Sequence, residues 1–134
     1  MEKNSGLFEL LYQSNYYLLK DISNGKRILD AACDNGVGSY LLSSFGAANV
    51  VGMDIDVSKI QKAKKVYVEK NLEFVVGNVE QLQHYFGDSK FDIIVSNYTI
   101  EHVDNVDAFV LSLKSNFSSK KFLALVTIDA LSFP

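Results

Sequence analysis

Five short apolar segments, each set apart from the next by a helical pattern, constrain this chain more than any other feature. They read "RILDAA", "NVVGMD", "LEFVVG", "FDIIVS" and "KFLALVTI". Strands this short and this continuously apolar are buried on both faces, which indicates a parallel sheet with helices packed on either side. The expected fold class is α/β, a doubly wound Rossmann-like parallel sheet. Before the first strand, Leu7, Leu10, Leu11, Ser14 and Leu18 fall at helical spacing, and Asn24-Gly25 stops the pattern. After it, "VGSYLLSSFG" is expected to be a short helix closed at Gly46. Asp56 caps the next helix, with Ile60, Ala63 and Tyr67 as an apolar stripe and Lys59, Lys62, Lys65 and Lys70 facing outward. A short helix through Leu82 follows the third strand, and Val103, Val106, Val110 and Leu113 mark a helix before the fifth. The 134 residues are expected to form one domain, with an N-terminal helix in 1–25 and a core in 26–134.

Charge and cysteine content narrow the partners. A net charge of -3 gives no general electrostatic reason to bind nucleic acid or an anionic membrane. No apolar run approaches the ~18 residues that cross a bilayer. Cys33 is the one cysteine, so no internal disulfide forms and a reducing cytoplasm is the default location. Cys33 is expected to be a small packed side chain rather than a nucleophile. His84 and His102 lie in different segments, and no metal site with recognisable ligand spacing is expected.

Open parallel sheets bind ligands outside the carboxyl ends of their strands, where the strand order reverses. The first strand runs into Asp30 and a small-residue loop to Gly38, and the second ends at Asp54. The third leads to Asn78, and the fourth to Ser96-Asn97-Tyr98. Loop polarity accounts for some of this, but an acid at the tip of "VVGMD" asks for a ligand. Each position also has a plainer explanation. Gly36 and Gly38 suit a tight turn and close helix packing. Asp54 could be a second helix cap beside Asp56, and Asn78 a polar turn residue. Glu101-His102 could simply fix the start of the next helix.

Taken in order, "ILDAACDNGVGS", "VVGMDID", "FVVGNVEQL" and "FDIIVSNYTIEHV" make Arg27 to Ile128 resemble the class I S-adenosylmethionine-dependent methyltransferases. The resemblance is to the broad group with small-molecule, lipid or sugar acceptors. It implies S-adenosyl-L-methionine as cofactor and a small molecule as methyl acceptor. It also implies strand order 3-2-1-4-5, with the final two strands of the usual seven absent. By the same resemblance, Ala32 and Gly36 let the backbone approach the methionine part, while Asp30 organises loop amides or the cofactor's ammonium. Asp54 takes the two ribose hydroxyls, Ile55 packs on adenine, Asn78 accepts from the adenine amino group, and the Val79 amide reaches a ring nitrogen. Asn97 and Tyr98 border cofactor and acceptor, and His102 is the candidate general base.

Three departures from the family pattern stand out. Ala32 and Asp34 replace glycines in the loop. If position 34 needs φ > 0, Asp tolerates it at a cost of ~1 kcal/mol, and its charge could repel the cofactor's carboxylate or attract its ammonium. Asn78 stands where an aspartate is usual. The fifth strand would be an apolar sheet edge, which suggests self-association or a covering partner. Two other readings stay open: a non-catalytic cofactor-binding or interaction module, and an NAD-dependent oxidoreductase. Against the second, Leu41 holds the third position of a G-x-G-x-x-G pattern begun at Gly36.

Overall fold

A computed structural model describes residues 5–118 and 123–127. The strands are β1 (Arg27–Ala31), β2 (Asn49–Asp54), β3 (Leu72–Val76), β4 (Ile93–Asn97) and β5 (Leu123–Thr127). All neighbours pair parallel, in the order β3-β2-β1-β4-β5, which is the order expected. The chain steps from β1 outward to β3 and then returns to lay β4 on the other side of β1. That reversal opens a crevice at the carboxyl ends of β1, β2 and β4.

Adjacent residues of each inner strand serve opposite layers, as the two-residue period of a strand dictates. Ile28, Val50, Ile93 and Val95 face one cluster with Tyr12, Tyr16, Leu19 and Leu42. Leu29, Val51, Met53 and Ile94 face another, with Leu82, Phe109 and Leu113. The first layer belongs to α1 (Ser5–Tyr17) and α2 (Val37–Ser44), with α3 (Val57–Val66) continuing it over β2 and β3; the second belongs to α4 (Leu82–Phe86) and α5 (Val106–Ser115). Asp56 caps α3 as its sequence implies, its carboxylate accepting from the amides of Ser58 and Lys59.

Several helical expectations are corrected. The leucine stripe of the first helix faces outward: Leu7, Leu10 and Leu18 are 50%, 66% and 70% exposed, and Leu18 follows the end of α1. The inward face is aromatic, with Tyr12 and Tyr16 buried. Polar hydroxyls go inside here because they find partners there: Tyr12 Oη and Tyr16 Oη are 3.1 Å apart, and Tyr16 donates to Asp30 at 2.9 Å. Helix α3 ends at Val66, so Tyr67 is its C-terminal boundary residue, stacked on Tyr40 with ring centroids 5.0 Å apart. Lys59 is not a free outward lysine, because its ammonium pairs with Asp34. Helix α4 starts at Leu82 rather than ending there, and runs to Phe86. In α5, Val106 and Val110 are exposed and Val103 precedes the helix; Phe109, Ser112 and Leu113 carry its buried face. Phe109 has the larger apolar area to remove from water, so it sets the rotation.

Gly38, the second residue of α2, shows how closely α1 docks. A Cβ there would lie 2.0–2.3 Å from atoms of the Tyr16 ring, far inside van der Waals contact. The end of the fifth apolar segment, beyond Thr127, lies outside the described residues.

Candidate functional site

The loop leaving β1 has three residues with positive φ: Ala32 at 63°, Asp34 at 55° and Gly36 at 89°. Two are not glycine, and each costs roughly 1–2 kcal/mol in the left-handed region. Hydrogen bonds hold the path against that cost. Cys33 N–H donates to Met53 O at 2.8 Å, and Gly36 N–H to Cys33 O at 3.0 Å. Asp34 N–H donates to Asp54 Oδ2 at 2.8 Å. The Asp34 side chain meets the Lys59 ammonium, which raises the lysine's pKa. Position 34 thus does need φ > 0, and its carboxylate is already paired with a cation.

Asp54 ends β2 and is nearly buried. Its other oxygen, Oδ1, accepts from Asp56 N–H at 2.9 Å. Each carboxylate oxygen has two acceptor lone pairs and receives one of these amides, so acceptor capacity remains. Gly77 N–H donates to the Asp54 carbonyl at 3.0 Å, which brings Asn78 beside it. Asn78 Oδ1 accepts from Glu80 N–H at 2.8 Å and starts a short 3-10 turn, Val79–Gln81. Its turn-forming role is therefore realised, and a second oxygen lone pair and the NH₂ group stay available.

Two cavities share this ground. One, about 200 Å³, is lined by Asp54, Ile55, Gly77, Asn78, Val79 and neighbours. The other, about 250 Å³, is lined by Asp34, Asn97 and Tyr98, and by Phe8, Glu9 and Tyr12 of α1. Ala32, Asp54, Thr99 and His102 line both, so the two are lobes of one cleft at the crevice the topology predicts. Each lobe alone is smaller than a usual ligand pocket, and only the two together offer the room a small-molecule ligand needs.

Among the expected site residues, Asp30 and Gly36 line neither lobe. Asp30 is fully buried; Tyr16 donates to Oδ1, and Ser39 to Oδ2 at 2.7 Å. It ties α1 and α2 to the loop's starting strand. A Cβ on Gly36 would lie 2.8–2.9 Å from Phe74 and Ala63, so its packing role is realised. Asn97 reaches the cleft with its side chain in use, donating to Tyr12 O at 2.8 Å and accepting from Asn15 at 2.8 Å. His102 is 68% exposed, with Nε2 3.7 Å from Glu101 Oε1. Cys33 is buried and its thiol pKa is pushed up by burial, so it is not a thiolate nucleophile. No group of metal-ligating side chains occurs among the described residues.

Phe8, Glu9 and Tyr12 are contributions that sequence reasoning missed. The signal was the four-residue spacing of Phe8, Tyr12 and Tyr16, which the more numerous leucines outweighed.

Burial pushes the Asp30 carboxyl up to about 7; the Ser39 and Tyr16 hydroxyls oppose this, and the Asp54 and Asp34 charges add to it. The folded state therefore holds this proton more tightly than the unfolded chain does. Its contribution to stability is fully present below the ordinary carboxylate range and is lost as pH rises through about 7. Denaturant midpoints measured from pH 4.5 to 8.5 should show Asp30→Asn gaining on the wild type as pH rises. A pH-independent difference would contradict this.

With the geometry in place, comparison with known proteins is informative. Residues 22–132 match the family described as "Methyltransferase domain". The chain is 33% identical over 107 residues to a putative methyltransferase, 235L, of Invertebrate iridescent virus 6, covering 79% of this chain and 38% of that protein. It is 28% identical over 137 residues to a ubiquinone biosynthesis O-methyltransferase of Rickettsia typhi, covering 92% and 54%. The chain thus spans from under two fifths to just over half of the length of these curated relatives. A TehB-like S-adenosylmethionine-dependent methyltransferase structure from Corynebacterium glutamicum aligns with a TM-score of 0.69 at 22% identity, over 90% of this chain and 68% of that one. A family match across most of the chain, on a sheet with this strand order and cleft, makes it a member of the methyltransferase domain family with a class I S-adenosylmethionine-dependent methyltransferase-like fold.

Proposed function

We propose that this chain binds S-adenosyl-L-methionine in the two-lobed cleft and transfers its methyl group to a small-molecule, lipid or sugar acceptor. The carrying observation is Asp54. It stands at the tip of β2, lines both lobes, and keeps acceptor capacity after ordering the loop through Asp34 N–H. A carboxylate in that position suits the paired hydroxyls of a ribose.

In this reading Ile55, Asn78 and Val79 hold the adenine in the first lobe, and Ala32, Asp34 and Asn97 border the methionine end in the second. Asp30 and Gly36 act through the loop, by fixing what lies behind it. The bound donor supplies an electrophilic methyl group on a sulfonium, so the chain's main work is to hold acceptor and donor in line. His102, exposed at the junction of the lobes, is the group placed to take a proton from an acceptor hydroxyl.

Lys59 makes the variant loop workable in this account by neutralising Asp34. Removing it leaves Asp34 charged without its cation beside Asp54 and frees one anchor of the loop. Lys59→Met should weaken S-adenosylhomocysteine binding roughly two- to fivefold, the scale of an exposed ion pair. Adding Asp34→Gly should restore it. Calorimetric titration of the single and double variants measures this, and an additive double variant contradicts it.

Transfer itself is tested with methyl-labelled donor and a panel of hydroxyl, amine and thiol acceptors. Label transferred to any of them, and lost in Asp54→Ala, supports the reading. Tight donor binding with no transfer across the panel moves the proposal to a non-catalytic cofactor-binding module. The family match counts against the nicotinamide-dependent alternative, and titration with NAD tests it.

The cytoplasmic location and the lack of a nucleic-acid or membrane partner stay part of this proposal. The structure adds only that no described helix is long and apolar enough to cross a membrane. Self-association through β5, the edge strand among the described residues, is also a proposal. A monomer by light scattering would count against it.

A further inference from the structure

The outer wall of the second lobe is aromatic. Phe8 and Tyr12 of α1 and Tyr98 after β4 line it. Ring centroids lie 5.5 Å apart for Phe8 and Tyr98, 5.8 Å for Tyr12 and Tyr98, and 6.1 Å for Phe8 and Tyr12. Tyr98 is held in this group at φ 58°. Bulky residues rarely adopt that conformation, and such strain concentrates where a side chain is being aimed at a ligand.

The charges around the same lobe have one sign. Glu9, Asp34 and Asp54 line it, together with His102, and no lysine or arginine does so among the described residues. Lys59, which pairs with Asp34, is not part of the lining. With Asp34 paired to Lys59 and Asp54 assigned to the donor's ribose, Glu9 is the carboxylate left for an acceptor. Its Oε1 accepts from Gln13 on the same helix at 2.7 Å, which steadies the side chain and leaves acceptor capacity. Aromatic faces carry negative potential and attract cations, and a neighbouring carboxylate adds to that. An anionic acceptor would meet three carboxylates there and, among the described residues, no lysine or arginine.

We propose that the acceptor carries an organic ammonium group, seated against Phe8, Tyr12 and Tyr98 with Glu9 as its countercharge. This deepens the methyltransferase reading and rests on it. It assigns the recognition group of the acceptor and leaves open which atom is methylated. The donor's own ammonium and sulfonium are the other cations such a lobe could hold, so the test separates the two sources.

S-Adenosylhomocysteine affinity is measured first for wild type, Glu9→Gln and Phe8→Leu. Failure of the wild type to bind it overturns the methyltransferase reading. The lobe is then tested without it, by the same titrations and criteria. Otherwise, with that ligand saturating, phenethylamine, phenethyl alcohol and phenylacetate are titrated as probes with one skeleton and three charges. The amine should bind about tenfold or more tighter than the alcohol, and phenylacetate weakest. Glu9→Gln should bring the amine to within about threefold of the alcohol while leaving alcohol and S-adenosylhomocysteine affinities unchanged. Phe8→Leu, which keeps an apolar contact but removes the ring face, should weaken the amine more than the alcohol. The proposal is overturned by equal binding of amine and alcohol, by absence of amine binding, or by an amine preference that survives Glu9→Gln. Loss of S-adenosylhomocysteine binding in Glu9→Gln would assign the lobe's cation to the donor and also overturn it.

Discussion

Asp54→Ala is expected to weaken S-adenosylhomocysteine binding by at least about a hundredfold, the scale of two lost hydrogen bonds to a charged group. Two effects add. The ribose hydroxyls lose an ionised acceptor, and the amides of Asp34 and Asp56 lose the oxygens that receive them at 2.8 and 2.9 Å. The second effect releases the loop at the residue whose φ is 55°, so part of the binding energy must then go into re-forming it. Asp54→Asn separates the contributions. One amide oxygen of the asparagine still accepts, its NH₂ faces a donor, and an intermediate affinity is expected. Calorimetry on samples with native circular dichroism reads both. Affinity within about threefold of wild type for Asp54→Ala would mean that neither a contact of the carboxylate with the ligand nor its ordering of the loop contributes to binding, and would contradict both effects.

The second large effect concerns stability. Gly38→Ala replaces a helical glycine, which by propensity alone would stabilise α2 by roughly 1 kcal/mol. Here the added Cβ collides with the Tyr16 ring, which is fully buried and hydrogen-bonded to Asp30. Overpacking of this kind costs about 1–3 kcal/mol or more. The collision wins because Tyr16 cannot retreat without lifting α1 and leaving Asp30 short of a partner. A net loss of about 2 kcal/mol is expected in denaturant unfolding, and more for Gly38→Val. Adding Tyr16→Ala should make the pair less damaging than the sum of the single changes, since the clash is then gone. Strict additivity would contradict the packing account.

Elements governed by short-range pattern were legible in the sequence. Five apolar runs became five parallel strands, Asp56 capped α3, and the strand tips carried Asp54 and Asn78 to one cleft. Features that depend on which distant side chains meet were not legible. Asp34 and Lys59 are 25 residues apart, and no periodicity reports that they pair across the loop. The family resemblance gave Asp30 the task of organising loop amides or the cofactor's ammonium, and only packing reveals that its two oxygens accept from Tyr16 and Ser39. The orientation of α1 was hidden for a thermodynamic reason. Its leucines are the more apolar stripe, yet its tyrosines bury larger rings and satisfy their hydroxyls inside.

The most direct test of the central claim, that this cleft holds S-adenosylmethionine, is a calorimetric titration of S-adenosylhomocysteine into the folded wild-type chain, with NAD titrated in parallel. One-to-one binding in the micromolar range, with NAD at least about a hundredfold weaker, is the predicted result. Equal or preferential binding of NAD, or no binding of S-adenosylhomocysteine by a sample with native circular dichroism, would contradict it.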